Sequence, residues 1–401
     1  MPVYLWELGL DLAGLCALLG VSGLAFSVAL GPWQRLARGR PLAGLVGVTF
    51  ALELALVATV LLTGRLLAQA DDTGGRLLAA ALLVGVANGA YNAFFWSTQR
   101  TLFAALAAAG DTGRRYGNLQ IVVAVFLKLG ILLGGLLVDA GLVTWTLLAS
   151  AFVGLLATLR LAPLAGSAPL HGEPPVSWRR SLGFRDEARS SAVFAVDGPF
   201  LYLESHFWTL SLFLLVREDH SRLGLVVVVL GVLFALLFLL VKNRIDRSAV
   251  DTVYRTSVAL YALSWLLRVA VDDASPATLT LALLIGVTFC SSLFRLAFNK
   301  RFFDVARYGG GALGAPSSPE RVTVPGPTAY LVIKSHVSQL SIALVFLPLA
   351  ALLHASELPP EAVLDGLYVA AAALSLVYLR YRRPATDEAL PTAKTTPTRS
   401  R

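Results

Sequence analysis

Residues 88–139 of the chain are NGAYNAFFWSTQRTLFAALAAAGDTGRRYGNLQIVVAVFLKLGILLGGLLVD. This stretch consists of two long apolar segments joined by a short basic loop, and polar side chains lie inside the apolar parts. Lipid cannot hydrogen-bond Asn88, Asn92, Gln99 or Lys128, so these groups must lie inside a helical bundle or face a water-filled cavity. The pattern therefore predicts membrane-spanning helices around a binding site rather than a simple membrane anchor.

The composition of the whole chain indicates a polytopic membrane protein. Of its 401 residues, 56% are hydrophobic and 14% are charged, and the mean hydropathy is +0.71; soluble proteins carry about 25% charged residues. The formal net charge is +8, but the Lys and Arg residues lie in alternate short loops, which argues against a nucleic-acid partner. Cys16 and Cys290 lie far apart in separate apolar segments and predict no disulfide.

Eleven apolar segments have about the 20 residues that a bilayer requires. The fold class predicted from them is an all-α polytopic membrane protein. The predicted spans are Asp11–Leu30, Leu42–Leu66, Leu77–Leu106, Asn118–Val138, Leu142–Leu161, Ser191–Val216, Leu223–Val241, Val253–Val271, Ala277–Phe298, Ala329–Leu353 and Ala362–Leu379.

Basic residues mark every second loop, and such loops are typically cytoplasmic. The intervening loops are neutral or acidic, so the C-terminus is expected to be cytoplasmic and the protein to lie in the inner (cytoplasmic) membrane. Residues 162–190 are polar and rich in proline, which predicts a cytoplasmic linker. This linker divides the chain into an N-terminal helical bundle, 1–161, and a C-terminal one, 191–383, followed by a disordered cytoplasmic tail, 384–401.

An internal repeat relates the two halves. Phe95–Phe103 aligns with Arg295–Phe303 with the amide, the base and the final Phe matched, and both segments end a predicted span on its cytoplasmic side. The same offset places Leu12 opposite Leu223, so the N-terminal half shows five spans where the C-terminal half shows six. Either the sequence begins downstream of a first helix or that helix has been lost, and the first explanation is favoured.

The chain resembles the major facilitator superfamily in its two bundles, its basic linker and the basic loop after the second helix of each half. It differs from the family in that the first transmembrane helix is not seen in the sequence. The family's loop signature, G-x-x-x-D-R-x-G-R-R, is partly kept. Gly31–Arg40 retains glycines and bases without the Asp, and Lys242–Arg247 retains Asp-Arg without the glycines. In the family this loop locks the inner gate, which implies a cytoplasmic gate loop formed by Gly31, Arg35, Arg38, Arg40, Asp246 and Arg247.

The resemblance also implies which predicted spans line a central cavity. With a first helix counted, the family's helices three, six, nine and twelve face lipid, and helices four, five, seven, ten and eleven line the cavity. In this chain the cavity helices are Leu77–Leu106, Asn118–Val138, Ser191–Val216, Ala277–Phe298 and Ala329–Leu353.

A polar stripe follows one side of family helix four. Asn88, Asn92 and Trp96 recur every fourth residue, with Gln99 and Arg100 one turn further on. The stripe predicts a surface that contacts substrate. The alternative is a hydrogen-bonded seam between helices, with Arg100 extending to the membrane surface.

Lys128 is predicted to lie near the bilayer midplane, about 15 Å along its helix from Asn118. A lysine at that depth needs an acidic partner, for which Glu53 is a candidate, or a cavity or an anionic substrate. The complete set of predicted substrate-binding residues is Asn88, Asn92, Trp96, Gln99, Lys128, Tyr330 and Lys334.

Acids and bases lie at compatible depths in family helices seven, ten and eleven. Asp197 and Glu204 are seven residues apart on one face, opposite Arg295 and Lys334. Isolated charges there would each cost several kcal/mol, so pairing is expected. The arrangement resembles the acid/base pairs of the family's sugar/proton symporters. Either one carboxylate takes up a proton when its basic partner turns to the substrate, or the pairs are static salt bridges.

These observations predict a secondary active transporter, a permease that moves a small polar solute by alternating access with proton coupling. The excess of intramembrane bases favours an anionic or zwitterionic solute. The alternative is a transport-incompetent membrane scaffold or sensor. The sequence shows no nucleotide-binding, hydrolase or metal-ligand pattern, so neither an enzyme nor a cofactor is predicted. A monomer is expected, and His206 and His336 are not interpreted as metal ligands.

Overall fold

The computed structural model describes residues 2–67, 74–106, 112–168, 173–245, 250–271, 275–311, 326–356 and 358–382, and the regular elements of this part are helices. The first half contains α1 Pro2–Glu7, α2 Leu12–Ala37, α3 Ala43–Leu67, α4 Gly74–Leu106, α5 Thr112–Asp139 and α6 Val143–Gly166, followed by the short α7 Trp178–Leu182. The second half contains α8 Ser190–Tyr202, a π-helical turn Leu203–Phe207, α9 Trp208–Leu215, α10 His220–Ile245, α11 Val250–Val269, α12 Ala277–Gly311, α13 Pro327–His354, α14 Pro360–Leu374 and a 3-10 turn Ser375–Arg380.

Each of the eleven predicted spans overlaps a helix of the structure. Seven helices in the described residues are long and apolar enough to cross a membrane, or up to eight if the bent pair Ser190–Leu215 and His220–Leu233 forms one span. The chain is thus an integral membrane protein of all-α class. The seven are Leu12–Ala37, Ala43–Gly64, Gly75–Phe103, Val143–Gly166, Ala277–Ala306, Thr328–His354 and Pro360–Arg380.

Two pairs of long helices join the halves. In the first half, α3 packs against α4 and α6, and α2 packs against α4. In the second half, α11 packs against α12 and α14, and α8 against α13. Between the halves, α2 lies along α13, and α5 lies along α10. Side chains of both halves therefore face a common interface.

Helix α2 shows where the first gate motif differs from the prediction. Asp11 caps the helix by accepting a hydrogen bond from the Gly14 backbone N–H at 2.7 Å. The helix then continues through Pro32 to Ala37, so Gly31 and Arg35 are helical, and only Arg38 and Arg40 follow the helix end. The prediction of a loop from Gly31 onward was wrong.

Two buried residues with polar groups hold the C-terminal end of α2 in its helical form. Trp33 donates from Nε1 to the Thr98 hydroxyl of α4 at 3.0 Å. Gln34 pairs with the backbone of Val176, donating to its carbonyl at 3.3 Å and accepting from its N–H at 2.6 Å. These contacts bind the helix end to its neighbours and explain why the apolar run ends before the helix does.

The region between the bundles is partly ordered against them. Helix α6 extends to Gly166, so the predicted linker begins inside a helix. Glu173 accepts hydrogen bonds from the N–H groups of Thr328 and Ala329, at 3.4 and 2.7 Å, at the start of α13. Ser181 lies 2.8 Å from Nδ1 of His336. Two predictions fall outside the described residues: Asp246 and Arg247 of the second gate motif, and the tail 384–401.

Polar contacts also join the halves at the end of the molecule opposite to the linker. The His220 ring lies between two carboxylates of the first half, with Nε2 at 3.1 Å from Glu7 and Nδ1 at 3.0 Å from Asp139. Trp6 donates from Nε1 to Glu218 at 3.2 Å. These residues form what we call the outer contact.

Candidate functional site

Charged side chains from three helices of the second half meet in one buried network. Arg295 of α12 donates to Asp197 of α8 at 2.6 Å and to Glu204 of the π-helical turn at 2.7 Å. Lys334 of α13 lies 2.8 Å from the other oxygen of Asp197. Asp197 and Lys334 are 2% and 8% exposed. The structure thus brings together all four residues that the sequence assigned to acid/base pairs.

A close approach of two backbones places Asp197 beside Lys334. Gly198 lies so near α13 that a Cβ atom there would be 2.1 Å from the carbonyl oxygen of Ser338. The Ser338 hydroxyl bonds the Phe194 carbonyl at 2.8 Å in the same contact. Only glycine permits this approach, and the residue before it in the chain is the carboxylate that Lys334 neutralises.

Glu204 occupies an interruption of the helix that carries Asp197. Residues Leu203–Phe207 form a π-helical turn between α8 and α9, and such turns are frequent at functional sites. The turn shifts the register of the helix, yet both carboxylates still face Arg295. Glu204 has fewer close partners than Asp197, because its Oε2 accepts from Arg295 while its buried Oε1 has no hydrogen bond within the described part of the chain.

Buried aromatic residues enclose the other acid. Tyr378 donates its hydroxyl proton to Asp197 at 3.0 Å, and Arg295 donates to the Tyr261 hydroxyl at 3.2 Å. The Tyr261 ring stacks on Phe294 with a centroid separation of 4.0 Å. Asp197 therefore has three partners, Arg295, Lys334 and Tyr378, which fix it more firmly than Glu204.

Arg268 of α11 is a further base that the sequence analysis missed. Its side chain is 3% exposed, its guanidinium stacks at 3.9 Å from the centroid of Trp265, and Nη2 lies 3.9 Å from Glu204 Oε1. Nη2 donates to Ser291 at 3.0 Å and Nη1 to Ser264 at 3.4 Å. The family resemblance implied that helix nine, which corresponds to α11, faces lipid. One side of α11 is exposed at Leu263 and Leu266, while its other side is buried and polar and brings Arg268 to a cavity.

The buried polar face of α11 can be recognised in the sequence. Tyr254, Ser257, Tyr261, Ser264 and Arg268 recur every three or four residues, which places them on one face of a helix. All five are buried. A polar stripe of this length in an apolar span predicts a face that points into the bundle, whatever the family pattern implies for that helix.

A cavity of about 330 Å³ opens beside this network, between α5 of the first half and α9, α10, α11 and α12 of the second. Glu204, Arg268 and Arg295 line one side of it, and Lys128 of α5 lines another. The lysine stem crosses α10 so closely that a Cβ atom on Gly231 would be 2.8 Å from Lys128 Cγ. The cavity thus includes charged residues of both halves.

The sequence offered Glu53 as the partner of Lys128, and the structure separates the two. Glu53 lies against Gly154 of α6 and lines a different cavity, of about 1,090 Å³, inside the first half. Gln99 lines that larger cavity too. Within the described residues Lys128 has neither a hydrogen bond nor an ion pair, so its ammonium group is available to a ligand.

The predicted polar stripe of α4 forms a chain of hydrogen bonds. Asn88 donates to the Ser22 hydroxyl of α2 at 2.9 Å, Asn92 donates to the Asn88 side chain at 2.9 Å, and Trp96 donates to Asn92 at 3.1 Å. The Arg100 guanidinium lies 5.6 Å from the Trp96 ring centroid. The first bond is the seam between helices that the sequence analysis raised as the alternative to substrate contact.

Tyr330 lies apart from both cavities. Its hydroxyl is bonded to Ser190 at 2.7 Å and to Tyr381 at 2.9 Å, and the ring stacks on Phe302 at 5.5 Å. Of the predicted substrate-binding residues, only Lys128 is among the described residues that line the cavity beside the charge network. Lys334 instead forms an ion pair with Asp197. No cluster of three or more His, Cys, Asp or Glu side chains that could hold a metal ion occurs in the described ranges.

Comparison with solved structures identifies the class of fold. A variant of the nucleoside transporter NupG aligns with a TM-score of 0.61 at 12% identity over 94% of this chain and 92% of that one. A bacterial homologue of the iron transporter ferroportin in an outward-facing state aligns with a TM-score of 0.56 at 14% identity, over 92% and 98% of the two chains. The human organic anion transporter MFSD10 aligns with a TM-score of 0.54 at 15% identity, over 91% and 83%.

These structures are transporters of the major facilitator type, and the chain has their fold. The resemblance that the sequence suggested is confirmed at this level. No family model matches the sequence, and no curated protein sequence does.

Proposed function

We propose that the chain is a secondary active transporter that moves a small polar solute across the inner membrane by alternating access, as a monomer and with proton coupling. The observation that supports this most is the contact between the charge network and the cavity. Glu204, Arg268 and Arg295 of the second half line the cavity together with Lys128 of the first half, and Arg295 joins this wall to the pair of Asp197 and Lys334 behind it. A solute bound there contacts both halves, which alternating access requires.

The geometry assigns different roles to the two acids. Asp197 is held by Arg295, Lys334 and Tyr378, so it anchors α8 to α12, α13 and the 3-10 turn. Glu204 lines the cavity, and its Oε1 accepts no hydrogen bond from the described residues, so it is the proton acceptor in this proposal. A proton on Glu204 weakens its pair with Arg295, because the pair loses its charge attraction. Arg295, which also lines the cavity, then turns toward the solute.

A screen in proteoliposomes tests the transport function. The proteins that share the fold act on different solutes by their names: a nucleoside, iron and an organic anion. Uridine, ferrous ion and hippurate represent these chemical classes as labelled probes. Uptake of one probe above protein-free vesicles, driven by an acidic exterior, supports the proposal.

The proton-coupling role has its own variant. Glu204→Gln keeps the size and hydrogen-bonding capacity of the side chain but cannot take up and release a proton. It is expected to exchange solute across the membrane and to lose accumulation driven by a pH gradient. A complete panel without uptake or exchange for the folded wild-type protein favours the scaffold or sensor that the sequence left as the alternative.

A further inference from the structure

The cavity beside the charge network has more positive than negative groups. Among the described residues that line it, Glu204 is the one acid, and Lys128, Arg268 and Arg295 are bases. Behind it, Asp197 and Lys334 neutralise each other. Positive charge without a counter-charge is costly inside a membrane protein and calls for a negative ligand.

Among the charged residues that line the described part of this cavity, Lys128 is the one without a partner, and Arg268 keeps a single buried N–H, at Nε, without a hydrogen bond. Both Nη atoms of Arg268 already donate to serine hydroxyls, and Arg295 is shared between two carboxylates. The Lys128 ammonium has three donors and no partner in the described part of the chain. Arg268 therefore adds charge to the site, while Lys128 supplies direct hydrogen bonds.

The remaining wall consists of hydroxyl groups, the side-chain amide of Asn299 and apolar surface. Thr209, Thr288, Ser291 and Ser292 supply hydroxyls. The apolar part is formed by Trp208 with Ile131, Leu212, Val227, Leu230 and Val287. The volume of about 330 Å³ is at the small end of the about 300–1,000 Å³ that ligand pockets occupy. A small molecule with one charged end and an apolar body suits this division.

We infer that the cavity binds a small organic carboxylate, with the carboxylate between Lys128 and Arg268 and the apolar body against Trp208. This assignment rests on the proposed transport function for its biological use and specifies its substrate class. Arg268 thereby takes part in ligand binding, although the family pattern would place its helix against lipid. The cavity hydroxyls complete the hydrogen bonding of the carboxylate.

Ligand-induced stabilisation of the purified full-length protein in detergent tests the inference. The probe is hippurate, an aromatic carboxylate, and its matched control is the neutral amide, hippuramide. Hippurate is expected to raise the unfolding temperature in a saturable manner, and hippuramide is expected to have no such effect. Equal shifts with the two compounds, or no shift with hippurate, would overturn the assignment.

Variants then locate the binding. Lys128→Gln is expected to weaken hippurate binding at least tenfold while the unliganded protein keeps its fold. Arg222→Gln is the matched control, because Arg222 pairs with Asp219 at the surface and its side chain is 69% exposed; its affinity should equal that of the wild type. Arg268→Lys keeps the charge and should retain more binding than Arg268→Gln. Unchanged affinity in Lys128→Gln contradicts the inference whether or not the Arg268 variants fold.

Other probes separate failure of this site from failure of the transport function. If inorganic phosphate or succinate binds through Lys128 more tightly than hippurate does, the ligand is not a carboxylate with an apolar body, and the inference is contradicted. Transport of uridine by vesicles whose protein does not bind hippurate would refute the site and leave the transporter standing. Hippurate binding through Lys128 without transport of any probe would support the site and refute the proposed function.

Discussion

Arg295 of α12 and Asp197 of α8 lie 2.6 Å apart, from Nη1 to Oδ1, at the centre of the buried charge network. The same guanidinium holds Glu204 through Nε. One arginine thus pairs with two carboxylates on a helix that contains a π-helical turn. Removal of a partner from a buried pair leaves an uncompensated charge, which is costly in a medium of low dielectric constant.

Replacement of Arg295 by Met is therefore expected to lower the free energy of unfolding by about 3–5 kcal/mol. Asp197 retains Lys334 and Tyr378, but Glu204 keeps only Arg268 at 3.9 Å. Thermal unfolding in detergent measures the change. The double variant Arg295→Met with Glu204→Gln should recover part of the loss, because it removes the acid that Arg295 left behind.

An exposed pair provides the control for this prediction. Arg222 and Asp219 lie 3.0 Å apart with side chains 69% and 36% exposed, so Arg222→Met should change the free energy of unfolding by less than about 1 kcal/mol. Equal losses for Arg295→Met and Arg222→Met would mean that the network contributes no more than a surface pair.

The contact between α8 and α13 is expected to depend on a single glycine. A Cβ atom on Gly198 would lie 2.1 Å from the Ser338 carbonyl oxygen, and a backbone atom cannot rotate away. Gly198→Ala should cost about 1–3 kcal/mol of stability, as overpacking of well-packed interiors does. Gly366→Ala, where a Cβ atom would meet no atom within 4 Å, should be neutral or slightly stabilising. A stable Gly198→Ala protein would contradict the close approach.

A variant of the contact between the polar stripe of α4 and α2 tests whether the stripe packs helices together. Ser22→Ala removes the acceptor that joins Asn88 to α2, and a hydrogen bond between membrane helices contributes about 0.6 kcal/mol on average. The Ser205 hydroxyl bonds only to the Leu201 carbonyl of its own helix turn, so Ser205→Ala is the matched control. A lower unfolding temperature for Ser22→Ala alone is expected. Equal unfolding temperatures for the two variants would show that the hydrogen bond between Asn88 and Ser22 does not stabilise the protein.

The outer contact should make stability depend on pH through Glu7. Burial is the largest influence on the pKa of the Glu7 carboxyl and raises it; His220 opposes the rise, and Asp139 and Glu218 add to it. With a raised pKa in the folded state, the contribution of Glu7 is complete below its ordinary value of 4.5 and is lost as the pH rises through the raised value.

The variant Glu7→Gln cannot ionise and should not lose stability in that range. Its unfolding temperature, relative to that of the wild type, is expected to increase as the pH rises from 4 to 7. The corresponding gain in the free energy of unfolding should stay below about 1 kcal/mol, because the Glu7 carboxyl is partly exposed. A difference that falls with rising pH would show that the ion pair with His220 outweighs burial.

Much of the fold was accessible to sequence analysis because apolar length and loop charge are local properties. All eleven predicted spans overlap helices, while Ser191–Val216 contains a π-helical turn that its apolar composition did not reveal. The end of α2 was misplaced because Trp33 and Gln34 are stabilised by Thr98 and Val176, which are distant in sequence. A polar residue at the end of an apolar run does not show whether it has such a partner.

The site was predicted in part for a related reason. Asp197, Glu204, Arg295 and Lys334 are charges in apolar segments, and burial in such segments demands partners. Arg268 has the same property, but the family pattern assigns its helix to the lipid face and so predicts no role for it in the cavity. The partner of Lys128 depended on helix packing, and the structure places Glu53 at a separate cavity.

The most direct test of the central proposal compares two transport modes in proteoliposomes that contain Glu204→Gln. The labelled solute is the probe that the vesicle screen identifies, with hippurate first, and wild type and Arg222→Gln are measured beside it. The account predicts that Glu204→Gln exchanges labelled for unlabelled solute at a rate near that of the wild type, yet loses accumulation when the exterior is acidified. Accumulation in Glu204→Gln equal to that of the wild type would contradict proton coupling through Glu204.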